Sequence, residues 1–265
     1  MTEGKLIDWL QRQPGTKGIG DDCFIYSDLV FTTDMMVEGV HFEQTDSPES
    51  IGYKTLARGL SDIAAMGAMP RFCLLSLAVA PWTNDAWVKR FYKGLLKFGV
   101  PLTGGDISHA SQFVCDIMVC GQVDKGKALR RDGAKPGDHI YVSGELGANA
   151  RDHFKRTPEP RLALGRKLVG KATACMDISD GLSLDLHRLC VASGVSAELD
   201  NIPVASGATM NQALNGGEDY ELLFTSKTPL RIQGIHRIGT IVKGKPGSIK
   251  LNSKPVKPAG YDHLQ

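Results

Sequence analysis

Five short aspartate motifs, each beside Gly, Ser or Thr, end or interrupt the apolar runs of this chain. They are Gly20-Asp21-Asp22, Thr32-Thr33-Asp34, Ser61-Asp62, Gly104-Gly105-Asp106 and Asp177-Ile178-Ser179-Asp180-Gly181. A fold that accepts this sequence must give these carboxylates partners, because burying one alone is costly. Each motif has a bland reading. Thr32-Thr33-Asp34 can be a turn whose Asp bonds local N–H groups. Asp62 can pair with Arg58 at i,i+4. Gly104-Gly105-Asp106 is a common turn, and Asp180 can cap a helix. Five together are better explained by hard oxygen ligands for Mg²⁺, which prefers carboxylates, water and substrate phosphates.

Hydrophobic periodicity places these motifs on elements. Leu6–Leu10 reads as a short helix, Cys23–Tyr26 and Leu29–Thr33 as strands, and 50–67 as an amphipathic helix with Ile51, Leu56, Leu60, Ile63 and Ala64 on one face. Phe72–Val79 is a buried strand, and Asn84 caps a helix reaching Phe98. A short strand enters Gly104-Gly105, and Phe113–Val123 is a longer one. The polar stretch from Asp124 to Asp138 is the expected boundary between a domain of residues 1–124 and one of 138–265. Beyond it, 139–143, 172–178, 198–203, 220–225 and 238–242 read as strands, and 162–169 and 182–192 as helices. The alternation argues an α/β or α+β fold.

Composition excludes several classes. The 31 basic and 29 acidic residues leave a net charge of +2, with no electrostatic footprint for nucleic acid. The lysines between 243 and 257 read as a solvated tail. No run approaches the roughly 20 apolar residues of a membrane span, and Met1-Thr2-Glu3 does not begin a signal peptide. The six cysteines form no C-x-x-C pair, so a zinc site is not expected; a reducing, cytoplasmic setting is. No G-x-x-x-x-G-K-[ST] loop, dinucleotide fingerprint or protein-kinase signature occurs. Many carboxylates without an obvious nucleophile or base suit phosphoryl transfer, which needs positioning and charge neutralisation above all.

At these motifs the chain resembles the thiamine-monophosphate kinases of the aminoimidazole-ribonucleotide-synthetase superfamily. The resemblance rests on Gly18–Cys23, Thr32–Phe42, Ser61–Ala68, Leu102–Asp106, Arg131–Asp138, Pro160–Gly165, Asp177–Leu182 and Gly216–Leu222. It implies ATP-dependent, in-line phosphorylation of thiamine monophosphate to thiamine diphosphate with several Mg²⁺ ions. It also implies a homodimer whose N-terminal sheets pair into a barrel, with a separate C-terminal α/β domain. Carried over residue by residue, it implies a metal set of Asp22, Thr32, Thr33, Asp34, Asp62, Asp106, Asp177 and Asp180, with Asp21 a weaker member. Gly105, Asp106, Arg131 and Ser179 are the implied ATP contacts, and His41, Glu218 and Tyr261 the implied substrate contacts. The stretch from Val204 to Asn215 is shorter than is usual, and Ile107-Ser108 replaces the common Thr after Gly-Gly-Asp. A sister chemistry, in which ATP activates a carbonyl oxygen or selenide, and a non-catalytic binding module are the alternatives.

Overall fold

The computed structural model describes residues 3–16, 18–261 and 264. Helix α1 (Glu3–Leu10) precedes the hairpin of β1 (Phe24–Tyr26) and β2 (Leu29–Val37). Then follow α2 (Pro48–Ala65), β3 (Met69–Val79), α3 (Asp85–Leu95), β4 (Leu102–His109) and β5 (Val114–Gln122). These strands form a sheet in the order β1-β2-β5-β3-β4, antiparallel except between β3 and β4. The chain continues through β6 (His139–Val142), α4 (Ala148–Arg151), α5 (Leu162–Leu168), β7 (Ala174–Asp177), α6 (Leu182–Ser193) and β8 (Ser196–Leu199). It closes with α7 (Met210–Asn215), β9 (Leu222–Ser226), β10 (His236–Val242), β11 (Ile249–Leu251) and β12 (Lys254–Val256). The second sheet runs β12-β11-β8-β10-β6-β9-β7, and only β8 and β11 pair in parallel. Two mixed sheets with helices make this an α/β fold of the α+β kind.

α2 is the structural axis. Ser47 caps it by accepting the Ser50 N–H, and Pro48 occupies the first turn, where its missing N–H costs nothing. The helix therefore starts earlier than the apolar stripe suggests. Ile51, Leu56, Leu60 and Ile63 are buried against the first sheet and α3. The next turn serves a different core: Ala64 and Ala65 pack with Leu129, Leu168, Leu222 and Phe224. α5 lies so close to α2 that a Cβ on Gly165 would stand 2.0 Å from the carbonyl oxygen of Ala64. Packing is thus continuous across the boundary expected from the polar 124–138 stretch.

Several sequence expectations shift. β2 does not end at Thr33 but runs on to Val37, because residues 32–37 have β5 residues to pair with. Gly104-Gly105-Asp106 is not a turn but the middle of β4, paired in parallel with β3. β3 begins at Met69, and Pro70 is accommodated beside a register shift. The strand expected over 198–203 is β8, shifted toward Ser196. The lysine-rich stretch is no tail: Asn252 and Ser253, both at positive φ (49° and 67°), turn β11 into β12.

The sheet edges differ in character. β1 pairs only with Leu29–Phe31, so from Thr32 onward β2 has no described strand on that side. At the other edge, β4 is exposed from Thr103 to His109. The second sheet ends at β12 with exposed Lys254 and Pro255. Its far strand β7 is covered by the preceding loop, Cys175 donating its N–H to the Arg130 carbonyl at 2.8 Å. No helix among the described residues is long and apolar enough to cross a membrane. All six thiols are free and buried.

Candidate active site

Three carboxylates from distant segments meet where α2 passes the end of β7. Asp177 is the last residue of β7, Asp62 lies near the end of α2, and Asp22 precedes β1. One oxygen from each lies within 4.8 Å of the others. Their neighbours are matched to them. Ser61 Oγ donates to Asp177 Oδ2 at 2.6 Å, and Thr32 Oγ1 to Asp62 Oδ2 at 2.5 Å. Arg131 grips Asp22 with Nη2 at 2.8 Å and Nε at 3.2 Å. Burial first, and then repulsion from Asp177 and Asp22, raises the Asp62 carboxyl well above the usual range. Asp177 is raised for the same reasons, with Asp22 as its main repelling neighbour. Asp21, buried beside Asp22, is pushed up to about 6. An all-oxygen set this crowded and this dry fits a hard divalent cation, which removes the repulsion that otherwise protonates it.

The cluster opens into a cleft of about 330 Å³. Of the residues expected at a site, Thr33, Asp34, His41, Asp62, Asp177, Ser179, Asp180, Glu218 and Tyr261 line it. Asp34 faces α2 from β2 and binds Arg58 through two donors, Nε at 3.0 Å and Nη2 at 2.8 Å. The i,i+4 pair between Arg58 and Asp62 therefore does not form. Asp180 does not cap α6. Asp185 reaches back to accept the N–H groups of Asp180 and Gly181 (both 3.1 Å), while Arg188 donates to Asp180 at 2.5 Å. His41 Nδ1 accepts the Val37 N–H at 3.0 Å, which puts the proton of a neutral ring on Nε2. Burial raises the Glu218 carboxyl above its usual range. The Glu218 backbone is left-handed, φ 53°, as is that of Tyr220, φ 50°. Two such non-glycine residues on one loop mark stored strain, common at functional sites.

The C-terminal strap crosses the same opening. Ser183 Oγ donates to the Ala259 carbonyl at 2.8 Å, and the Tyr261 N–H to the Asp180 carbonyl at 3.2 Å. Gly260 permits this approach, since a Cβ there would stand 2.5 Å from the Asp180 oxygen. The 204–215 segment supplies α7, whose Thr209 and Gln212 form a capping box, and leads directly into Gly216 and Gly217 on the cleft wall.

Gly105 and Asp106 are not in the cleft. Asp34 registers with Ile117, Ile117 with Leu75 and Leu75 with Gly105, so three strand spacings, about 14 Å, separate Asp34 from Gly105. A larger cavity of about 850 Å³, lined by Asp28, Lys125 and Arg166 among others, touches none of the expected site residues.

Sequence reasoning missed Lys54, Asn149 and Asp185, all buried. Lys54 and Asn149 hold the Glu218 loop, with Lys54 Nζ 4.0 Å and Asn149 Nδ2 3.4 Å from Glu218 Oε2. The available signal for Lys54 was a lysine within the buried stretch of α2. Asp185 offered one too, as an acid in the first turns of a helix directly after Asp177–Gly181.

Comparison with known proteins bears on this arrangement. Residues 20–123 match the family described as AIR synthase related protein, N-terminal domain. Thiamine-monophosphate kinase of Bacillus subtilis is 36% identical over 249 residues, covering 78% of this chain and 77% of that protein. The Aquifex aeolicus enzyme of the same name is 30% identical across 98% of this chain and 97% of its own. AaThiL complexed with AMPPCP and TMP superposes with a TM-score of 0.91 at 30% identity, covering 99% of this chain and 97% of that one. On this likeness along its whole length, the chain belongs to the thiamine-monophosphate kinase family of enzymes.

Proposed function

We propose that this protein transfers the γ-phosphoryl group of ATP to thiamine monophosphate, in line and without a covalent enzyme intermediate, giving thiamine diphosphate and ADP. The observation that carries the reading is the convergence of Asp22, Asp62 and Asp177 beside a cleft that Glu218 and Tyr261 also line. The acceptor needs no general base, since a phosphate monoester with a second pKa of about 6 is largely dianionic at neutral pH. Bound Mg²⁺ supplies the charge neutralisation that lets two polyanions approach. Asp22, Thr32, Thr33, Asp34, Asp62, Asp177 and Asp180, with Asp106, are the residues to hold it. Arg131, Ser179 and Gly105 are the ATP contacts in this reading. Glu218 offsets the thiazolium charge and Tyr261 gives it a ring face. His41, on the cleft wall, is the third substrate-side residue in this reading.

The reading includes a homodimer, with residues 1–124 providing the dimerising, metal-binding domain and 138–265 the second domain. Its support is the first sheet itself. The face turned away from α2 carries Phe31, Met35, Phe72, Leu74 and Met118 without burying any of them fully, and both long edges are open. Closing two such sheets into a barrel seats β4 of one copy beside β2 of the other. That would bring Gly105 and Asp106 to the second copy's cluster, across the 14 Å gap that they cannot span in their own. Free buried thiols and an ATP-using reaction suit a cytoplasmic setting.

Incubating the purified protein with ATP, Mg²⁺ and thiamine monophosphate tests the reaction. Thiamine diphosphate that requires all three supports it. ADP release with another acceptor and none with thiamine monophosphate rejects it.

A further inference from the structure

Phe154 is a cleft residue that neither the aspartate motifs nor the resemblance accounts for. It lines the cleft that Glu218 and Tyr261 also line, and it is 43% exposed. It is held in an unfavourable backbone conformation: His153 and Phe154 are consecutive left-handed residues, with φ of 51° and 61°. Left-handed conformations of bulky residues cost free energy and persist only where surrounding contacts impose them. Those contacts are present and unusual. Lys54, buried in α2, donates its ammonium to the Phe154 carbonyl. The same ammonium is 4.0 Å from Glu218 Oε2. Buried Asn149 ties the same two loops a second time. Its carbonyl accepts the Phe154 N–H at 2.8 Å, and its side-chain amide donates to the Glu218 carbonyl at 2.8 Å.

We propose that Phe154 is a specificity-determining residue of the cleft: its ring forms an aromatic wall that selects a flat, cationic heteroaromatic acceptor, while Lys54 and Asn149 are positioning residues that fix this wall relative to Glu218. The proposal rests on the substrate reading above. It adds that acceptor selection is built from two loops bolted to α2, and not from the C-terminal strap alone. A cationic ring entering the cleft finds a carboxylate for its charge and a π face for its surface, the pairing that discriminates it from a neutral or aliphatic phosphate. Lys54 and Asn149 each reach both loops, so these two residues together set the spacing between ring and carboxylate.

Steady-state kinetics of wild type, Phe154→Ala, Phe154→Tyr, Lys54→Met and Lys54→Arg test this, with thermal melting of each variant. In Phe154→Ala the KM for thiamine monophosphate is expected to rise about tenfold, the ratio given by a cation–π contact of roughly 1.4 kcal/mol. The KM for ATP and the melting temperature should stay near wild type, since the ring is at the surface of the cleft. Phe154→Tyr should restore the wild-type KM. Lys54→Met should reproduce the thiamine-monophosphate effect, with Lys54→Arg recovering part of it. An unchanged KM for thiamine monophosphate in Phe154→Ala, or an equal rise in both KM values, overturns the proposal while leaving the reaction intact. Wild-type protein that forms no thiamine diphosphate overturns the substrate reading and this proposal with it.

Discussion

Arg58 and Asp34 meet as a fork, Nε on one carboxylate oxygen at 3.0 Å and Nη2 on the other at 2.8 Å, joining the middle of α2 to the middle of β2. Arg58 Nη1 also approaches the Met36 sulfur at 3.5 Å, so the guanidinium is seated on one face of β2. A planar, bidentate contact of this kind fixes the direction of the Asp34 carboxylate, which a lysine would hold only as a point charge. Arg58→Lys should therefore lower turnover by on the order of tenfold, about 1.4 kcal/mol of transition-state positioning. Arg58→Met, which strands the carboxylate, should cost about 3 kcal/mol of stability in urea unfolding. Wild-type turnover in the lysine variant would mean that charge alone matters at this position.

The separation of Asp106 from Asp34 within one copy gives a mixing experiment. Asp34→Asn and Asp106→Asn should each be nearly inactive. Equal amounts unfolded and refolded together should recover about a quarter of wild-type activity, because half the dimers are mixed and one of their two sites is intact. No recovery from a dimeric mixture would put both aspartates in the site of a single copy.

Asp185 sets a pH dependence. Burial, then repulsion from Asp180, raises its carboxyl from the usual 3.8 to about 7. A folded pKa above the unfolded one means that the native state binds the extra proton. The contribution is fully present below 3.8 and is lost as pH rises to about 7. Without divalent ions, the melting temperature should fall across that window. Asp185→Asn should flatten the fall. A slope that survives in the asparagine variant would assign the titration to another group.

Gly165 tests the contact between α5 and α2. An added methyl there meets backbone, not a movable side chain. Gly165→Ala should cost about 2 kcal/mol, read as a lowered melting temperature. An unchanged melting temperature would mean that α5 can shift off α2 without loss.

The site was legible in the sequence where chemistry is carried by carboxylates beside small residues. Asp22, Asp62 and Asp177 stand out because a bland reading serves each motif singly but not five such motifs together. The fold was legible where one apolar face is long, as in α2 and β5. It was less so where pairing overrides local signals. Thr32-Thr33-Asp34 reads as the end of a strand and Gly104-Gly105 as the end of a short one, yet both motifs lie within strands, since β5 and β3 supply ladders for them. Lys54, Asn149 and Arg58 act through groups distant in sequence, from 24 residues for Arg58–Asp34 to 164 for Lys54–Glu218. No window along the chain contains both partners. The β11–β12 hairpin was hidden by its lysines, which are outward-facing on a strand whose other side holds buried Ile249.

The two sheets end in opposite ways, and this limits how copies of the chain can add to one another. Lys254 and Pro255 on β12 discourage a further strand, since a proline offers no N–H and a charge resists an incoming edge. The far strand β7 is already met by the loop between β5 and β6, through the Arg130 carbonyl. Among the described residues of the other sheet, β4 and the part of β2 beyond β1 are long open edges, and neither strand carries a lysine or a proline. Two copies joined as proposed would cover these long edges in each other. In the dimer proposed above, the hairpin that completes the second sheet would thus also discourage growth beyond two copies.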